Sequence, residues 1–132
     1  MDSHEIIINE YWGFLGQKAF PCIAAKAAIA KKHIKSIVVN HMACPVQDGE
    51  VLNFMYDFVD NYRKSRDSYH SAAVIFKGPL DADEKIFDLL LWQRLKALAS
   101  LDKLNYRHDP RVDDNPSSPR YSFSLKEEAF FI

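Results

Sequence analysis

The chain has 132 residues, a formal charge of −1 from 17 basic and 18 acidic side chains, and a 48% hydrophobic content. That length fits one domain with its own core, and nine Phe, six Tyr and two Trp argue against a disordered chain. The charge balance speaks against a nucleic-acid binder, no run approaches the ~20 apolar residues needed to cross a bilayer, and two cysteines are too few for a disulfide framework.

Met1-Asp2-Ser3-His4-Glu5 has no basic leader region, and the cysteine usage suits a reducing cytosol. Ser3 is expected to cap a helix from His4 to Leu15, with Ile7, Tyr11 and Phe14 on one face and Gly16 at its C-cap. Phe20-Pro21-Cys22 opens a second helix, Ile23 to about His33, with proline near the first turn where its missing N–H costs nothing. Its alanines let a partner approach closely.

Ser36 to Met42 reads as a strand, because Ile37, Val38 and Val39 are β-branched. Pro45 and Asp48-Gly49 then interrupt the chain. Val51, Phe54, Met55, Phe58, Val59 and Tyr62 form the clearest helical stripe. Ser71 to Phe76, ended by Lys77-Gly78-Pro79, reads as a buried strand. Asp81 with Glu84 resembles a capping box for a long helix, Ala82 to Leu104, with Phe87, Leu91, Leu95 and Leu98 on one face. A turn-rich loop follows from Asp109-Pro110 to Pro119.

Tyr121, Phe123 and Leu125 alternate with Ser122 and Ser124, as in a half-buried strand, and Ala129 to Ile132 makes a final apolar strand. Lys126-Glu127 is a poor two-residue turn, since neither residue favours positive φ, so a longer or bulged turn is expected. The predicted fold is α/β (α+β): a small mixed sheet of about four strands packed by about four helices, in the order α-α-β-α-β-α-β-β. All 132 residues form one domain. Ending inside an apolar strand suggests a chain truncated there, and the unpaired edge offers a route to a homodimer.

Cys22 is the first candidate for chemistry. The positive end of a helix dipole lowers a thiol pKa, so Cys22 could bind iron or another metal or act as a nucleophile; the plainer reading is a small core hydrophobe. Cys22, His33, His41 and Cys44 have zinc-ligand chemistry but not zinc-site spacing, and His41 is expected on the core face with Ile37 and Val39. Asp113 and Asp114 read as solvated loop acids. Lys26/Lys31/Lys32/Lys35 and Arg63/Lys64/Arg66 read as solvated helix ends.

Four segments, in order, resemble the YqcI/YcgG family. They are Phe20-Pro21-Cys22 with its alanine-rich helix, the strand Ala72 to Pro79, and Leu91-Trp92 with Leu95, Leu101 and Asp102. The fourth is Asp109-Pro110, Asn115-Pro116 and Tyr121-Ser122-Phe123-Ser124. The resemblance implies a haem-dependent oxygenase that hydroxylates a guanidino nitrogen of arginine or a related small guanidino or amine substrate. It implies haem contact at Cys22, Phe20 and Pro21. In such relatives the strand matching Ala129 to Ile132 continues into a His-Pro-x-Ser-Ser-Arg segment, so only the family's N-terminal part is expected here. The alternative is a non-catalytic remnant or interaction module that pairs through its last strand. A thiol redox protein centred on Cys22 would lack a C-x-x-C partner.

Overall fold

The computed structural model of the chain describes residues 2–15, 17, 33–66 and 69–132. The expected second helix and Phe20-Pro21-Cys22 lie outside them. The described elements are α1 (Ser3–Leu15), β1 (Ile34–His41), a 3-10 turn (Pro45–Gln47), α2 (Asp48–Arg63), β2 (Ser71–Gly78), α3 (Glu84–Asp102), β3 (Phe123–Leu125) and β4 (Glu128–Phe130). The α/β (α+β) class and the order of the described elements are as expected. The strands form two pairs, β1–β2 parallel and β3–β4 antiparallel.

Asp2, rather than Ser3, caps α1. Its carboxylate accepts from the Glu5 N–H at 2.8 Å while Glu5 reaches back to the Asp2 N–H, the reciprocal arrangement that satisfies two orphan donors. Phe14 is exposed, and the Trp12 indole N–H donates to the Ser36 hydroxyl at 2.9 Å, tying α1 to β1.

β1 lies beside β2 from Ile34↔Ser71 to His41↔Gly78, joined through α2 as a parallel pair requires. Asp48-Gly49 does not interrupt the chain; α2 begins there, directly after the turn that Pro45 opens. Acidic residues in a first helical turn complement the dipole, and Asp48 also accepts from Arg94 Nη1 at 3.2 Å. The α2 stripe buries Val51, Met55, Phe58 and Val59. β2 is mostly half-buried rather than buried, with only Ala73 fully covered.

α3 starts at Glu84, and its cap is Asp83 rather than Asp81. Asp83 has the extended backbone a cap requires, and its carboxylate accepts from the Ile86 N–H at 2.9 Å. Leu95 and Leu98 are buried and Leu91 is half-buried, but Phe87 is exposed, because the first turns of α3 project past the core.

The core joins Val39, Val51, Met55, Phe58, Leu95, Leu98, Phe123 and Leu125. Burying a side chain of this size stabilises by about 1.5–3 kcal/mol. Ser124, expected to face out, is also buried, because its hydroxyl accepts from the Asp109 N–H at 2.9 Å. Among the described residues, no helix is long and apolar enough to cross a membrane.

Candidate functional site

The densest polar chemistry lies between the end of α3 and the β3–β4 hairpin. The hairpin turn has two residues after all, since Leu125 pairs with Glu128 and both Lys126 (φ 51) and Glu127 (φ 61) are left-handed. Left-handed backbone costs an L-residue about 1–2 kcal/mol, so contacts around it must hold the turn in place. The Lys126 N–H and the Tyr56 hydroxyl both donate to Oδ1 of buried Asp102, at 2.9 and 2.7 Å. Arg63 Nη2 donates to the Lys126 carbonyl at 2.6 Å. Lys126 Nζ sits 2.7 Å from Asp60 and over the rings of Tyr56 and Tyr106. Burial, then the bond to Asp102, holds the Tyr56 hydroxyl above its ordinary range.

Asp109 performs the same service for the strands. It is fully buried, and its carboxylate takes a forked pair from Arg111, at 2.7 Å to Nη2 and 2.9 Å to Nε, with the Ala129 N–H at 3.0 Å. Ser124 and Ala129 are cross-strand partners, so Asp109 ties both strands to the loop before them. The Arg111 bonds hold the Asp109 carboxyl far below the usual carboxylate range and raise the guanidinium in turn.

Two open hollows flank this frame. The first, about 320 Å³, runs along α3 and is lined by Trp92, Lys96, Lys103, His108, Asp114 and Tyr121, among others. His108 stacks beside Tyr121, and Trp92 tilts against the same ring. Asp114, Lys96 and Lys103 form no ion pair with a described residue. Burial raises the Tyr121 hydroxyl above its ordinary range.

The second hollow, about 340 Å³, is lined by Arg63, Arg66, Arg107 and Arg111 with Asp109, Glu127 and Glu128. Glu128 accepts from Arg63 Nε at 3.3 Å and from Arg111 Nη2 at 2.7 Å, and Glu127 accepts from Arg107 Nε at 2.6 Å. Small-molecule pockets run to about 300–1,000 Å³, and both hollows have room for a ligand of amino-acid size.

Of the residues singled out from the sequence, Cys22, Phe20 and Pro21 lie outside the described residues. His41 is not a core histidine. It is exposed at the end of β1, its ring lies against Gly78, and its Nδ1 accepts from the Ala43 N–H at 3.1 Å. Cys44 is an exposed free thiol. No group of three His, Cys, Asp or Glu side chains that could hold a metal occurs among the described residues.

Asp109 and Asp102 stand in recognisable segments of the sequence, but no local pattern marks them as the buried hydrogen-bond hubs they are. Their only sequence signal was adjacency to a proline or to the end of an apolar helix. Asp114 was read as a solvated loop acid, and it is exposed, but it lines the α3 hollow.

No curated protein and no solved structure matches the chain. The model of the YqcI/YcgG family matches residues 11–132. The likeness thus spans essentially the full chain, which corrects the expectation that only an N-terminal part of the family is represented. On that match, the chain belongs to the YqcI/YcgG family.

Proposed function

We propose that this chain serves the haem-dependent hydroxylation of a guanidino nitrogen, with arginine or a close relative as substrate. The α3 hollow carries the substrate half of this reading. Arginine presents a flat cation at one end and a carboxylate at the other, and the hollow offers both complements. Asp114 supplies an unpaired carboxylate for the guanidinium, the rings of Trp92 and Tyr121 suit its planar face, and Lys96 and Lys103 suit the α-carboxylate.

Family membership supports the haem half. Haem, when bound, supplies the activation of dioxygen. Its proposed contacts are Phe20, Pro21 and Cys22, with Cys22 near the iron or shaping its pocket. The protein's own part is to orient the substrate nitrogen.

The test is an absorption spectrum of the chain made in haem-supplemented cells, beside that of Cys22→Ala. A Soret band that the substitution shifts or removes is the expected result. A folded wild-type chain with no Soret band would sink the haem half.

Self-association through the last strand is a weaker proposal. Asp109 already takes the Ala129 N–H on the outer side of β4, although Phe131 and Ile132 beyond it are exposed. Light scattering across a concentration series tests it, and a constant monomer mass would end it.

A further inference from the structure

We propose that the arginine-lined hollow beside the β3–β4 hairpin is an oxyanion site, one that takes the phosphate or carboxylate group of a small ligand. The proposal does not depend on haem or on the α3 hollow. Four guanidiniums, those of Arg63, Arg66, Arg107 and Arg111, meet there against three carboxylates.

The carboxylates do not quench the guanidiniums; they aim them. Arg111 is gripped through Nε and Nη2 by Asp109 and Glu128, Arg63 through Nε and Nη2 by Glu128 and the Lys126 carbonyl, and Arg107 through Nε by Glu127. Among the described residues, no hydrogen bond uses Nη1 of any of these three. Each therefore keeps donors for a further acceptor. Arg66 has no ion pair or hydrogen bond with a described residue.

A forked guanidinium matches the spacing of phosphate and carboxylate oxygens. Among the described residues Arg66 and Arg107 keep both Nη groups for such a fork, while Arg63 and Arg111 add Nη1. Arginines already held in place lose less freedom when they close on a ligand. Asp109 is the keystone of the arrangement: buried and saturated, it takes no part in binding but fixes Arg111 at the edge of the hollow.

The experiment is isothermal titration of the intact chain with inorganic phosphate and, separately, with malonate, at low ionic strength. Arg66→Ala and Arg107→Ala are the test variants, because neither side chain holds the hairpin's backbone. Lys85→Ala, in the first turn of α3, is the control. Saturable binding of either anion is expected, about tenfold weaker in each arginine variant, as loss of one charge-assisted partner implies, and unchanged in the control. Phosphate alone binding identifies a phosphate ligand, and malonate alone a carboxylate. No saturable binding of either anion to the wild-type chain overturns the proposal, as does equal binding by the arginine variants or an equal loss in the control.

Discussion

The β1–α2–β2 unit and the β3–β4 hairpin meet in one core but are held together by different forces. In the first, the α2 stripe of Val51, Met55, Phe58 and Val59 packs beside a parallel pair eight residues long on each strand. Apolar burial does the work, and it depends little on pH or salt. In the hairpin the strands are three residues each. Two buried carboxylates, Asp102 and Asp109, hold its turn and its outer side. Short strands with strained turns need such clamps, because pairing alone does not stabilise an isolated hairpin. The two hollows flank this clamped region, where charge has been fixed in place.

Leu125→Ala tests where the two regions join, since Leu125 is fully buried in β3 and belongs to the common core. Its expected cost is about 2–5 kcal/mol, read by denaturant unfolding. A cost near zero would mean that the hairpin does not share the core.

Asp109→Ala should cost about 3 kcal/mol, because it leaves the Ala129 and Arg111 N–H groups without their acceptor. The loss should fall on the hairpin's amide-exchange protection more than on that of β1–β2. The pH sign follows from the depressed Asp109 carboxyl. Its contribution is complete above the unfolded value of about 3.9 and is lost as pH falls through the lower folded value. Wild type should therefore lose hairpin protection in acid below about pH 4. Asp109→Asn should show a flatter acid profile, and identical profiles would remove Asp109 from its assigned role.

These assignments also separate what was legible in the sequence from what was not. The α2 stripe was legible because helical spacing repeats within a few residues and depends on nothing distant. The β-branched run of Ile37, Val38 and Val39 was legible for the same reason. Asp109 was not, because its Ala129 partner lies 20 residues away and a buried loop carboxylate has the same letter as a solvated one. The turn at Lys126-Glu127 was misread because local preference disfavours it. The bonds that override the preference come from Asp102 and Arg63, on two other helices. The α3 hollow was illegible too, since its lining draws Trp92 from α3 and Asp114 and Tyr121 from the segment that follows it, residues that no local spacing connects.

Asp114→Asn removes the carboxylate without changing its shape. It should weaken arginine binding about tenfold, followed by Trp fluorescence, while leaving stability unchanged because Asp114 is exposed. Unaltered affinity would move the guanidinium elsewhere. The smallest effect belongs to the strained turn. Glu127→Gly should stabilise the chain by about 0.5 kcal/mol, since relief of the left-handed backbone exceeds the loss of an exposed ion pair to Arg107. Lys126→Gly should bring no such gain, because it also removes the contacts to Asp60, Tyr56 and Tyr106. Equal gains in melting temperature for both would show that those contacts do not hold the turn.

The most direct test of guanidino hydroxylation follows oxygen itself. The haem-loaded chain is incubated with arginine, a reductant and isotopically labelled dioxygen, and the product is examined by mass spectrometry. One oxygen atom enters an N–H bond to give N–OH, and the other leaves as water with two electrons from the reductant and two protons from solvent. Labelled N-hydroxyarginine, reduced about tenfold in Asp114→Asn at low arginine concentration, is the predicted result. A folded, haem-loaded chain that yields no labelled product from arginine or its close relatives would contradict the proposal.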